Sequence, residues 1–505
     1  MLQKTWSLVT LLVIVALVLA ACGGTQSQQP QPAAPTTAAN PTEATQPTAA
    51  PPTTAPTAAA APTQAPQATT ASTASGKPVE IRWYIGLGTG DAPELEAPQQ
   101  KVVDAFNASH PNIHLTKEVV LYANAYETLA TQVTSGNPPD IVGPVGVSGA
   151  EGFHGLWLDL APYIQKENYD LSDFDKGAVD FYKAGGEGQI GIPYAIYPSM
   201  LFYQKSMFDE AGLNYPPKKV GEKYKWPDGT EEEWNYDTLK KVAMKLTVDE
   251  KGKTADQAGF DPKKIAQYGF VWQGHDDARA IGSYFGAGSL VGPDGKTAQI
   301  PPEWDAAWKW TYDSIWKDHF QPDYALYQSE AWGATNPFNS GKIAMGITFL
   351  WYTCCMDNAG DKWDLAVVPS YNGKTTANLN ADTFRIFKST KHPDEAFEVL
   401  KYLLGDTPEV KELLTAYGAF PARKSLQASF VDDLNKKFPQ KPDWQVAMDS
   451  VAYADNPSFE AYFPNYNEAL NRSRTFYNLI LTTDKLNMDE EIGKFKNDLQ
   501  VIFNK

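Results

Sequence analysis

Hydrophobic positions divide this chain into three stretches of different pattern. Leu8 to Leu19 is an apolar run, broken only by Thr10, that follows a single positive charge at Lys4. Such a run has the length of a secretory signal's apolar region and falls short of the roughly 20 residues that span a bilayer. From Thr25 to Ser75 there is no Leu, Ile, Phe or Trp, and Glu43 is the only charge. A stretch of Pro, Thr, Ala, Gln and Ser buries too little surface to offset its ordering entropy, so it reads as a tether. Its reach runs from about 40 Å as a coil to on the order of 100 Å as extended polyproline II. From Val79 the pattern changes. Val79 to Ile85 alternates with period two and stops at Gly86-Leu87-Gly88-Thr89-Gly90, a strand entering a loop. Asp91, Pro93 and Glu94 have the form of a helix start with Asp91 as cap, and Leu95, Val102, Val103 and Phe106 keep one apolar face until Pro111. Ile113 to Val119 is the next strand. A helix from about Ala123 carries Tyr126, Leu129, Ala130 and Val133 and stops at Gly136, and Asp140 to Gly143 is a short buried strand. Strands are also predicted at Gly269-Phe270-Val271 and at Ile343 to Ile347. Trp304, Trp308 and Tyr312, spaced i, i+4, i+8 beside Ile315 and Trp316, predict the core-facing stripe of a helix. The alternation of strand and helix implies an α/β protein with a mostly parallel sheet covered on both faces.

Composition narrows the partners. A formal charge of −17 argues against nucleic acid and anionic lipid. The three cysteines are Cys22, Cys354 and Cys355, so there is no disulfide framework. The adjacent pair is open to two readings, buried thiols or a strained vicinal disulfide. Several motif fragments come to nothing. Gly86 to Asp91 is G-L-G-T-G-D rather than GxGxxG, Asp294-Gly295-Lys296-Thr297 and Asn372-Gly373-Lys374-Thr375 lack the earlier glycine of a phosphate loop, and Ser148 in Gly146-Val147-Ser148-Gly149-Ala150 misses GxSxG. No cofactor or metal site is expected: His275 and Asp276 have no second histidine nearby. A secreted glycosidase is the main rival class, because the 60 Asp and Glu leave room for a pair flanking a glycosidic bond.

Ordered blocks make a stronger signal. Leu19-Ala20-Ala21-Cys22 resembles a bacterial lipobox, in which the cysteine is lipidated and becomes the new N-terminus. Ser135-Gly136-Asn137-Pro138-Pro139-Asp140-Ile141-Val142 resembles the SGN-x-PD signature of family 1 extracellular solute-binding proteins. Gly155-Leu156-Trp157-Leu158-Asp159-Leu160, Gly191-Ile192-Pro193-Tyr194, Phe208-Asp209-Glu210-Ala211-Gly212-Leu213, Phe338-Asn339-Ser340-Gly341-Lys342 and Gly418-Ala419-Phe420-Pro421-Ala422 follow in that family's order. The resemblance implies a two-lobed periplasmic-binding-protein fold (type II-like) with lobes joined by several crossing segments. It also implies a role as the binding lipoprotein of a sugar-type ABC importer, similar to the maltodextrin-binding proteins. Carried onto this chain, residues 1–22 are the lipoprotein signal and 23–76 the tether. One lobe is then 77–195 plus 378–425 and the other 200–370 plus 426–505. The expected partners are a carbohydrate, the permease subunits and, through Cys22, the outer face of the cytoplasmic membrane, with the protein a monomer. A glycerol phosphate or another polar solute, or a sensor or adhesin role, is the alternative.

A sugar offers hydroxyls to polar side chains and a C–H face to flat rings, so a carbohydrate site needs amides, carboxylates and Trp or Tyr. The candidates on that basis are Gly88 and Thr89 in the first loop, and Trp272, Gln273, His275 and Asp276 after the Gly269–Val271 strand. Trp351 stands where sugar-binding relatives place a stacking indole, Asn380 and Asp382 near an interlobe crossing, and Tyr466 and Asn467 in the C-terminal helices. Tyr126 and Tyr197 complete the set.

Overall fold

The computed structural model describes residues 77–505 apart from 89, 185, 335, 357–358, 361 and 418, and excludes the side chains of 184, 354 and 355. Cys22, Thr89, the tether and the thiol groups of Cys354 and Cys355 therefore lie outside the described residues. Nine strands share one sheet: β1 (Val79–Ile85), β2 (Ile113–Val119), β3 (Ile141–Val145), β4 (Ile192–Gln204), β5 (Val271–Trp272), β6 (Met345–Phe349), β7 (Trp363–Ala366), β8 (Leu379–Ile386) and β9 (Phe420–Pro421). The main path runs β5-β6-β4-β8-β3-β1-β2, with β7 and β9 also on β4.

The alternating segment at the start behaves as its pattern dictates. β1 and β2 pair in parallel from Val79↔Ile113 to Ile85↔Val119, and β3 adds to the other edge of β1. Helix α1 (Glu96–Ser109) buries Val102, Val103 and Phe106 beneath them. Asp91 does not cap that helix. A 3-10 turn at Pro93–Leu95 precedes it with Ala92 at its N-cap, and the Asp91 carboxylate accepts the Tyr122 N–H at 2.8 Å. Tyr122 begins helix α2 (Tyr122–Thr134), so Asp91 satisfies one of the orphan donors at that helix's start.

β4 is the strand that joins the two halves. All 13 of its residues are buried. Its first half pairs with β8, from Phe384↔Ile192 to Leu379↔Pro198, and its second half with β6, from Phe349↔Ser199 to Met345↔Tyr203. Proline cannot donate to a ladder. Pro193 stands beside the register shift at Asp382/Thr383, and Pro198 at the point where pairing passes from β8 to β6. The β4 ladders to β6, β7, β8 and β9 and the β8–β3 ladder are antiparallel. The sheet is thus mixed rather than mostly parallel. Its central strands return directly through one another, and only β1–β3 and the β5–β6 pair keep the parallel pattern.

The second half's core is built around helices. α3 (Ala278–Phe285) and α4 (Pro302–Trp316) pack with α5 (Tyr466–Thr482) and α6 (Met488–Phe503). The tryptophan stripe of α4 faces that core. Trp308 lies edge-on to Phe476 and Phe495, and the Trp304 and Trp308 indole N–H groups donate to Gly286 O and Ala278 O at 2.8 and 2.7 Å. Ala74 to Lys505 makes one compact unit. Among the described residues no helix is long and apolar enough to cross a membrane.

Candidate ligand-binding site

A cavity of about 750 Å³ opens where β1, β3 and β6 end and where the middle of β4 lies beside β8. Ligand sites of α/β sheets form at these carboxyl ends, where backbone leaves the ladder and its polar groups are free to face a guest. Its lining begins with Leu87 and Gly88 after β1 and with Gly146 and Gly149 after β3. Close approach explains the glycines. A Cβ at Gly88 would sit 2.8 Å from Pro144 O, and one at Gly149 would sit 2.5 Å from Leu87 O. Trp351, two residues past β6, stacks on Phe349 at 4.2 Å and 18°, and meets Tyr197 of β4 edge-on at 5.5 Å. Asn380 and Asp382 project from β8 beside them, and Tyr122 and Tyr417 add two more rings to the wall.

The polar groups of this wall are acidic or neutral. Asp382 is 9% exposed, and the Tyr197 hydroxyl donates to its Oδ2 at 3.5 Å. Burial pushes its carboxyl up to about 7 against the opposing effect of that hydroxyl. Burial also lifts Glu460 to about 7, although the Arg279 charge and the Ser148 N–H oppose the shift. Asn380 Oδ1 is buried without a partner. Asp91 and Glu94 stand on the same wall, which carries no Lys, Arg or His among its described residues. The arrangement offers flat apolar faces beside carboxylates and an unpartnered amide oxygen, and among the described residues nothing is arranged as a nucleophile with a base.

Residues 89–409 match the bacterial extracellular solute-binding protein family. The chain belongs to that family. A binding protein from Brucella abortus (strain 2308) is 25% identical over 323 residues, covering 60% of this chain and 67% of that one. The fold is that of an ABC substrate-binding protein from Listeria monocytogenes solved in complex with cycloalternan, at 19% identity and TM-score 0.60 over 85% of this chain and 100% of the other. It is equally that of the sugar-binding protein MalE from Xanthomonas citri, at 16% identity and TM-score 0.62 over 84% and 98%. This solute-binding protein therefore has the two-lobed α/β fold, and its family consists of binding proteins rather than enzymes.

The solute-binding protein brings five of the sequence candidates onto one wall: Gly88, Tyr197, Trp351, Asn380 and Asp382. Three others lie off that wall and are hydrogen-bonded elsewhere. Tyr126 accepts from Asn467 Nδ2 at 2.9 Å, and Tyr466 donates to Ser148 Oγ at 3.1 Å. Trp272, His275 and Asp276 line a separate pocket of about 390 Å³. There the Trp272 indole donates to Thr311 at 3.1 Å, the His275 ring bonds the Tyr284 hydroxyl at 3.0 Å, and Asp276 pairs with Arg474 at 3.1 Å. Burial lowers His275 to about 4, so the ring is neutral near pH 7. Gln273 is fully buried and spends its amide on Asn336 and the Phe338 N–H, a loop-holding role. Sequence reasoning missed Tyr122, Tyr417 and Glu460. Tyr417 abuts the Gly418–Ala422 block and Tyr122 opens a predicted helix, so both were within reach, whereas Glu460 has no local pattern to mark it.

Proposed function

We propose that this protein is the extracellular binding lipoprotein of an ABC importer. It holds a carbohydrate in the 750 Å³ cavity and passes it unchanged to a membrane permease. One observation carries the reading: a half-buried indole, Trp351, and the Tyr197 ring adjoin the acceptors Asn380 and Asp382 at the ends of the sheet. This is the pairing of flat face and acceptor that a polyhydroxylated ring requires. The Listeria and Xanthomonas proteins named above, one solved with cycloalternan and one described as sugar-binding, support it. The acidic wall speaks against a glycerol phosphate, whose dianion would be repelled by it. Lobes at 77–195 plus 378–425 and at 200–370 plus 426–505 would close on the solute, which shifts the open–closed equilibrium by its differential affinity. The acyl anchor would be on Cys22, a reading the lipobox resemblance supports.

The test is a thermal-shift and calorimetric screen of the full-length protein against mono- and oligosaccharides. A ligand present at 100 times its Kd adds about 2.7 kcal/mol to apparent stability and raises Tm accordingly. The reading predicts at least one saccharide that does so and is recovered intact. A saccharide cleaved by the protein, or a screen in which only non-carbohydrates bind, rejects it.

A further inference from the structure

The charge on the cavity wall narrows the ligand further, on the assumption that the cavity is the carbohydrate site. Buried carboxylates are normally paired, because an uncompensated anion removed from water is costly. Here the pairing is missing. Asp382 lies within the protein with a tyrosine hydroxyl as its contact, and its Oδ1 stands 3.4 Å from where a Cβ on Gly146 would be, against the cavity's glycine floor. Glu460 shares the cavity; the charges of Arg279 and, more weakly, Arg385 act on it, but Arg279 is committed elsewhere. Its Nε and a terminal nitrogen each approach Asp277 at 2.7 Å, and its Nη1 donates to Ala461 O. Asp91 and Glu94 extend the same sign to the rim, where the Asp91 carboxylate holds the Tyr122 N–H.

A neutral sugar would supply hydroxyl donors to these acceptors without cancelling their charge. When the cleft shuts and water leaves, that residual repulsion remains, and the carboxyls respond by holding protons. A guest carrying one protonated amine removes both problems, since an ammonium donates three hydrogen bonds and brings the missing charge. We propose that the cavity selects an amine-bearing carbohydrate, with Asp382 and Glu460 as the groups that receive the ammonium. N-acylation of that amine removes the charge and most of the donors, and a carboxylate or phosphate on the guest reverses the sign. Both modifications should be discriminated against.

The experiment is titration calorimetry of the full-length protein at pH 7.5 with glucosamine, galactosamine and mannosamine. Each is compared with its parent hexose, its N-acetyl derivative and the matching uronic acid. The inference expects at least one hexosamine to bind about tenfold or more tightly than its parent and its N-acetyl form, with the uronic acid weakest. In Asp382→Asn, and independently in Glu460→Gln, the ratio of hexosamine to parent-hexose affinity should shrink to about threefold or less, whatever either change does to the affinity for both. Two variants guard against one that fails to fold. Parent hexoses that bind as well as or better than every hexosamine would overturn the amine preference and leave the carbohydrate reading standing. If no sugar of any class binds, the carbohydrate reading falls and takes this inference with it. A margin that survives both substitutions would show that other groups receive the amine, and would remove Asp382 and Glu460 from that role.

Discussion

At the scale of single residues, Trp351 and Asp382 do opposite things for the empty protein. Trp351 is stacked on one face by Phe349, so its indole is held in place before any ligand arrives. That preorganisation spares the entropy of ordering a large side chain on binding. Trp351→Ala should weaken carbohydrate affinity by about 1–3 kcal/mol, the scale of one lost aromatic contact and its burial. Calorimetry on a variant with unchanged circular dichroism checks this. Asp382, by contrast, is a liability until something binds it. Its surroundings are the Tyr197 hydroxyl and the Tyr182 and Tyr194 rings, while Arg385 on the same strand lies over Trp157 and Tyr182. A carboxyl raised to about 7 on folding binds more protons folded than unfolded across the interval from its ordinary value near 4. Its stabilising effect is therefore full below that interval and is lost as pH climbs through 7. Ligand-free Asp382→Asn should gain on the wild type by on the order of 2 kcal/mol between pH 5 and pH 8. Urea denaturation at the two pH values measures the difference, and a constant gap would contradict the assignment.

Elements explain why the site sits where it does and which parts of it the sequence could announce. His154 shows what a single element contributes. It follows the short helix Val147–Glu151, pairs with Glu151 and Glu187 at 3.3 and 2.9 Å, and stacks on Tyr462 at 3.8 Å. The two carboxylates hold its imidazolium up to about 9. A raised histidine stabilises fully below its ordinary value near 6.5 and loses that contribution as pH passes 9, the same direction as Asp382 over a higher interval. His154→Gln should cost on the order of 1–2 kcal/mol at pH 6, discounted for partial exposure, and almost nothing at pH 10. Denaturation midpoints at both pH values test it. The strand and helix order of the first half was readable because each element there carries its own period and its own stop, such as Pro111 or Gly136. Strand direction was not readable. β4 and β8 are antiparallel partners nearly two hundred residues apart, and nothing local to either records the other. The same reason divides the site. Trp351 follows a predicted strand and Asn380 and Asp382 lie near an expected crossing, but Glu460 reaches the cavity only through a tertiary path.

For the whole molecule, the distribution of charge and apolar surface decides how it meets the membrane. With a net charge of −17, the chain would be repelled by anionic headgroups rather than adhere to them. No described helix can cross the bilayer, and the one long apolar run precedes Cys22. In the function proposed above, attachment would come from acyl chains at Cys22, each buried methylene adding about 0.8 kcal/mol. The unit Ala74 to Lys505 has its own hydrophobic cores. Attachment and binding should accordingly separate in one substitution. Cys22→Ala should move the protein from the membrane pellet to the soluble fraction after export, in high salt as in low. Its ligand Kd should stay within about twofold of the wild type, because no residue of the cavity lies within reach of position 22 in sequence. A variant that remains in the pellet would show that attachment uses a surface of the folded unit, and a variant with altered affinity would show that the anchor and the cavity are coupled.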